Sequence, residues 1–276
     1  MPASTHAARS SSAVTAWEMR RAILDASKRA NVGHIGSCLS VVDVLAVVFD
    51  VARSGLGTAA GDRDRFILSK GHAGLALYAA LQQAGLLDEA ELHGFCGDGS
   101  GLAVHPDHAV PGVDFSTGSL GMGLSFGVGA ALAARLDGSS RQVYVLLSDA
   151  ECNEGAVWEA AMFAAHHRLG NLTAIVDENG QQALGFTRDV LDLGDLEARW
   201  RAFGWQAATV DGHDHGALAA ALAAPTGESK PPRVVVAETT FGKGVSFMES
   251  QIEWHYRPMS DEQYARATDE VEQARP

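Results

Sequence analysis

Basic residues are scarce in this chain. Lys and Arg number 21 against 34 Asp and Glu, a formal net charge of −13. No Lys/Arg cluster offsets that balance locally, so no nucleic-acid-binding surface is expected. Long hydrophobic runs are missing too. None approaches the roughly 18 residues of a membrane span, so no membrane partner is expected. There are only three cysteines, Cys38, Cys96 and Cys152. They are far apart and form no CxxC pattern, which argues against a zinc site or a disulfide framework and for a reduced, cytoplasmic setting. The first 14 residues, "MPASTHAARSSSAV", lack the apolar centre of a signal peptide. Their Ser/Ala mix predicts a flexible arm. What remains is an ordinary globular composition, 46% hydrophobic and 20% charged. Residues 15–276 suffice for one large domain with a buried core.

The second half alternates regularly. "QVYVLLS" (142–148) predicts a strand and "AVWEAAMFAAHHRLG" (156–170) a helix. "LTAIVD" (172–177) predicts a strand, "LEARWRAFG" a helix, "WQAATV" a strand, "HGALAAALAA" a helix and "PRVVVAET" a strand. Alternation with short links implies an α/β fold, a parallel sheet flanked by helices. The first half adds helices at 16–30 and 41–52, the second apolar on most faces and so buried. A short strand follows at 65–69, then a helix through "GHAGLALYAALQQAG". Residues 94–119 read as a long loop, and 123–136 as a Gly/Ala-rich helix suited to close packing. The domain therefore carries an N-terminal helical extension.

In an open parallel sheet, ligands bind beyond the carboxyl ends of the strands. Asp149 follows one predicted strand, and Asn179 follows the next, thirty positions later. Neighbouring strands lie roughly 5 Å apart, so both side chains could reach one ion. Oxygen ligands of this kind suit Mg²⁺ or Ca²⁺. Asp149 could equally cap the next helix, and Asn179 could form a turn with Gly180. A Gly-Asp-Gly also stands at Gly97-Asp98-Gly99, but no strand precedes it, and it reads as a turn.

Four histidines lie in Gly/Pro-rich or terminal segments: His34, His72, His105 and His255. Histidines so placed can donate to phosphate or hydroxyl groups and move protons near neutral pH. His166 and His167, within a helix, and His213 and His215, in a turn, read as ordinary polar residues. The glycines of "STGSLGMGLSFG" (116–127) allow close approach of backbone N–H groups to a ligand at a helix start. They equally serve packing. The stretch is not the dinucleotide fingerprint, and no GxxxxGK[ST] is present.

Taken in order, "ANVGHIG", "RFILSKGHAGLALYAAL", "HPDHAVPGVDFSTGSLGMGLSFGVGAAL", "SDAECNEGAVWEAAMFAAHHRLGNLTAIVDENGQQALG" and "AETTFGKGVSFMES…EWH" resemble the diphosphate-binding domain of transketolases. The resemblance runs from about Lys28 to His255. It implies that thiamine diphosphate is held through Mg²⁺ (or Ca²⁺) by the side chains of Asp149 and Asn179 and the carbonyl of Gln181. Ala150 stands where the family has a glycine whose N–H meets the diphosphate, and Ser148 replaces the glycine before the aspartate. Gly118 and Leu120 would approach the cofactor with their backbones, and Glu154 would link paired active sites. His72 and His255 would flank the diphosphate and the reacting carbons, with His34 and His105 facing the substrate.

The implied reaction moves a two-carbon ketol unit from a ketose, such as a sugar phosphate, to an aldehyde. The family's pyrimidine-binding domain is not in this chain. A partner subunit is therefore expected to supply it, in a two-plus-two heterotetramer, with the 123–136 helix as a candidate interface. Related readings are the alpha subunit of a thiamine-dependent 2-oxo-acid dehydrogenase and an acyloin-forming subunit. The two glycine replacements also leave open a non-catalytic regulatory subunit. If φ at Ala150 is negative, alanine is tolerated there; if positive, it costs roughly 1–2 kcal/mol.

Overall fold

The computed structural model describes residues 11–52, 55–56, 62–223, 227 and 230–276. The first helix, α1 (Ser12–Ala30), starts four residues before the periodic pattern at 16, because the Ser11 hydroxyl accepts from Val14 N and caps it. The predicted N-terminal arm thus overlaps α1 at its end, and residues 1–10 lie outside the described residues. The helix expected at 41–52 is α3 (Val42–Val51), within a residue at each end; a short helix not anticipated, α2 (Ile35–Ser40), precedes it across Val41. Next come β1 (Arg65–Leu68), a 3₁₀ turn (Gly71–Ala73), α4 (Gly74–Gln83) and α5 (Glu89–His93). After the long loop come α6 (Met122–Leu136), β2 (Val143–Ser148), a 3₁₀ turn (Ala150–Asn153) and α7 (Gly155–His166). α7 is shorter than its pattern because Arg168 adopts a left-handed φ of 50° and Leu169 N closes back on Ala164 O, a helix-terminating arrangement.

β3 (Leu172–Glu178) leads into a small hairpin, β4 (Gln181–Gln182) and β5 (Gly185–Phe186). The rest is α8 (Thr187–Val190), α9 (Leu196–Ala202), β6 (Gln206–Asp211), α10 (His215–Ala223), β7 (Arg233–Glu238), a 3₁₀ turn (Ile252–His255) and α11 (Asp261–Gln273). α5 and α11 were not anticipated. Each opens with a reciprocal capping box, Asp88 with Glu91 and Ser260 with Gln263, a signal present in the sequence.

The main sheet has five parallel strands in the order β1-β2-β3-β7-β6. Its central strands are buried on both faces, and their side chains alternate between two cores. Tyr144, Leu146, Ile175, Val235 and Ala237 pack with α1 to α4 and α10. Val143, Val145, Leu147, Ala174, Val176, Val234 and Val236 pack on the other face, under α6, α7 and α9. The strand order reverses at β3, since the chain leaves for the far edge at β6 and returns through β7 beside β3. Such a reversal opens a crevice at the carboxyl ends of the strands. Asp149, Asp177 and Asn179 stand there.

The α6 glycines differ in what they do. A Cβ on Gly127 would collide with the Cγ2 methyl of Val145 in β2, whereas one on Gly129 meets nothing. Alanine gains about 1 kcal/mol of helix propensity over glycine, and overpacking costs about 1–3 kcal/mol. Denaturant unfolding should therefore show Gly129→Ala stabilised by about 1 kcal/mol and Gly127→Ala destabilised.

Candidate active site

Asp149 follows β2 directly and is 4% exposed. Its Oδ1 accepts from Ala150 N at 2.7 Å, and its Oδ2 accepts from Gly180 N at 2.9 Å. Gly180 follows Asn179, whose own Oδ1 accepts from Gln181 N at 2.9 Å. The aspartate and the Asn179–Gln181 turn are thus tied together across adjacent strands, at the separation anticipated. Asp149 does make a cap-like bond, as the alternative had it, and the Asn179–Gly180 turn exists as well. Neither bond uses the remaining lone pairs of the Asp149 and Asn179 oxygens.

Neither replaced glycine needed a left-handed backbone. Ala150 and Ser148 are absent from the residues of positive φ, and the Ser148 hydroxyl accepts from Glu151 N at 3.1 Å. Alanine at 150 therefore carries no strain of that kind.

Three buried charges were not singled out from the sequence. Asp177, fully buried at the end of β3, pairs with the buried Lys70. It also accepts from Ser40 Oγ at 2.7 Å, from Asn179 Nδ2 at 2.9 Å and from Thr239 Oγ1. The available signal was an acidic residue closing an apolar strand two positions before Asn179. Glu151 accepts from Gly121 N at 2.8 Å, Ser148 N at 3.3 Å and Ser69 Oγ, fixing the start of α6 to the ends of β1 and β2. Burial raises the Glu151 carboxyl above its ordinary value.

Burial, and then the neighbouring Asp177, push the Asp149 carboxyl up to about 7. Lys70 is already paired with Asp177, so Asp149 has no cation of its own. Among the described residues no group of three His, Cys, Asp or Glu is placed to hold a metal. Mg²⁺ fits this donor set better than a transition metal. It accepts one carboxylate with amide and carbonyl oxygens, leaving positions for phosphate and water. Beside the pair, the buried side chain of Gln181 has neither its Oε1 nor its Nε2 bonded within the chain, and buried Asn153 Oδ1 also lacks a partner. Unmet polar atoms around an uncompensated carboxylate fit a polar, metal-bearing ligand.

The histidines come together as anticipated. His34 stands 5.6 Å from His72, 6.4 Å from His105 and 5.1 Å from His255, and His72 stands 5.4 Å from His255, measured between ring centroids. His34 N donates to His255 O at 3.1 Å, with His34 at a left-handed φ of 64° ahead of α2. Glycines permit the approach: a Cβ on Gly36 would strike the Phe241 ring, which stacks on His255 at 6.3 Å. Gly118, at φ 157°, lies against His105. Gly118 and Leu120 are exposed on the loop entering α6.

Burial, then Lys70 and the other histidines, lowers His72 to about 2. Burial, then His34 and Lys70, lowers His255 to about 4. His34 is lowered by burial and by His105. All three are neutral at pH 7. Glu154 precedes α7, exposed, and its carboxylate has no partner among the described residues. Gly97 to Gly99 form a turn, with Ser100 N bonded to Gly97 O.

With this geometry in place, comparison with known proteins is direct. The family described as "Transketolase, thiamine diphosphate binding domain" matches residues 11–272. The chain is 39% identical over 254 residues to the A-type subunit of the apulose-4-phosphate transketolase of Phocaeicola vulgatus, covering 91% of this chain and 90% of that one. It is 37% identical over 261 residues to the 6-deoxy-6-sulfo-D-fructose transketolase subunit SqwG of a Clostridium species, covering 92% and 94%. The solved transketolase of Leishmania mexicana superposes with a TM-score of 0.86 at 30% identity, covering 96% of this chain and 42% of that one. The chain belongs to the transketolase family, through its thiamine diphosphate-binding domain. Its similarity to A-type subunits along nearly their whole length bears out the expectation that it is the N-terminal subunit of a split transketolase, which is a transferase. It spans about two fifths of the Leishmania transketolase.

Two measurements probe the site. The three histidines have folded pKa values below the ordinary 6.5, so the unfolded chain binds more protons as pH falls below about 6.5. Their contribution to stability is present above that pH. It is lost progressively toward about 4, where His255 titrates in the folded state. Denaturation across pH 7.5–5 should show this loss. His72→Asn should flatten the slope by about one proton, or about 1.4 kcal/mol per pH unit. Asp149→Asn removes a buried charge beside Asp177 but turns one of the two acceptors of the Ala150 and Gly180 N–H groups into a donor. Metal-free stability should therefore stay within about 1–2 kcal/mol of wild type, while Mg²⁺-dependent binding of thiamine diphosphate by calorimetry should weaken about 100-fold or more.

Proposed function

We propose that this chain is the diphosphate-holding half of a two-subunit enzyme that transfers a two-carbon ketol unit from a ketose phosphate to an aldehyde. The observation that carries this reading is the convergence of the Asp149–Gly180–Asn179 arrangement and the neutral histidines around Lys70. The charge of Lys70 acts on both Asp149 and His72. Asp149 and Asn179, with the Gln181 carbonyl, hold Mg²⁺. The Ala150 N–H serves the diphosphate in exchange for its bond to Asp149, and the Gly118 and Leu120 backbones line the cofactor. When bound, thiamine diphosphate supplies the nucleophile and electron sink for breaking and forming carbon–carbon bonds.

The chain's own residues do the rest. His72 and His255 flank the diphosphate and the reacting carbons. His34 and His105 meet substrate hydroxyl and carbonyl groups. The neutral imidazoles of His34, His72 and His255 both donate and accept, which suits groups that gain and lose protons within one turnover. Glu154, exposed and without a partner among the described residues, links the paired active sites in this reading. Exposed Met122 and Phe126 on α6 and Met162 and Phe163 on α7 mark the face where a second subunit docks. We place the assembly as a two-plus-two heterotetramer in the cytoplasm. Among the described residues no helix is long and apolar enough to cross a membrane. The relatives' names specify apulose-4-phosphate and 6-deoxy-6-sulfo-D-fructose, which supports a branched or modified ketose as donor.

The assembled pair, given thiamine diphosphate and Mg²⁺, should move two carbons from ketose phosphates to an aldehyde, and this chain alone should not. Decarboxylation of 2-oxo acids without ketol transfer would overturn the reading.

A further inference from the structure

The segment following β7 serves two parts of the site. Thr239 Oγ1 reaches Asp177 and stands 3.1 Å from Ser40 Oγ. Two residues on, the Phe241 ring stacks on His255, and Gly242 N donates to Gly36 O at 3.0 Å. Between them, Thr240 N donates at 2.9 Å to a side chain outside the site, Nε2 of His213.

That contact assigns the tautomer. Nε2 accepts, so the proton of the neutral ring lies on Nδ1, which donates to Asp43 Oδ2 at 2.7 Å. Asp43, on α3, is nearly buried. Burial alone would raise its carboxyl, but His213, His215 and Arg20 hold it well below the usual carboxylate range. Arg20 Nη2 donates at 2.5 Å to the same oxygen, and His215 Nε2 lies 2.9 Å from the other. The His213 backbone is set by its N–H to Asp211 Oδ1 at 2.8 Å. A carboxylate orients an imidazole, and the imidazole holds one backbone amide midway between the metal-side and histidine-side contacts.

We propose that His213 is a positioning residue: held by Asp43, it fixes the Thr239–Phe241 segment through the Thr240 N–H and, through that segment, His255 and Asp177. His215 binds the same carboxylate but touches no part of the site, which makes it a matched control. The kinetic consequence rests on the ketol-transfer reading; the structural one does not.

The test is amide hydrogen exchange on the full chain, followed by kinetics of the assembled enzyme. Gln at 213 places a carbonyl oxygen where Nε2 accepts, whereas Asn reaches Asp43 but not Thr240. His213→Asn should speed exchange across 239–241 about tenfold, the scale of one lost buried hydrogen bond. His213→Gln and His215→Ala should leave that exchange unchanged. In the assembled enzyme His213→Asn should lower kcat about tenfold, with His213→Gln restoring it. Unchanged exchange in His213→Asn, or equal acceleration in His215→Ala, would overturn the proposal. If exchange responds as stated while the wild-type pair shows no ketol transfer, the positioning role stands and the functional reading fails.

Discussion

Asp177 is the contact on which the rest of the site depends. A fully buried carboxylate survives only if its lost hydration is replaced. Four donors replace it: Lys70, Ser40, Asn179 and Thr239. They come from the segment after β1, from α2, from the turn after β3 and from the segment after β7. Each must be in place for the others to be worth making. Removing one charged partner of such a pair leaves the other stranded, at about 3–5 kcal/mol. The residue that touches neither substrate nor cofactor in our reading therefore sets where Asn179 and the ends of three segments lie.

The same charge arrangement explains the opposed states of the site's two halves. Lys70 satisfies Asp177, leaving Asp149 buried next to a like charge with no cation of its own. Burial, and then Lys70 and the neighbouring rings, keep His72 and His255 uncharged. One side of the crevice thus calls for positive charge, and the other excludes it.

Much of this could be read in the residues themselves, and the exceptions have physical reasons. Apolar runs alternating with helical stretches marked the central strands within a residue or two, because a strand covered on both faces has little freedom in composition. The Asp149–Asn179 spacing and the four loop histidines also emerged, since one βαβ step has a narrow length range. α2 left no mark, because its six residues include a glycine and two serines and show no apolar period. The Lys70–Asp177 pair was invisible because its partners are 107 positions apart and a lone lysine in a glycine-rich stretch looks like surface. His213 passed as an ordinary turn residue, since its importance lies in Asp43, whose set of contacts only the folded chain assembles. α5 is too short to show an apolar period, and α11 shows one only through Tyr264, Ala267 and Val271 on an otherwise charged helix; the capping box is the second signal that both carry.

The glycine-permitted contact between the two ends of the site has a kinetic meaning. Ser37 Oγ and His255 Nδ1 stand 3.5 Å apart although 218 residues separate them in the chain. Closing so long a loop comes late, after the sheet exists to guide it. The histidine cluster therefore needs the chain from His34 through His255 in place, and a ligand that fits the crevice meets only molecules folded that far. Such a ligand draws the folding equilibrium toward the native state by mass action, so cofactor supply becomes a control on how much of the chain survives as well as on how fast it works.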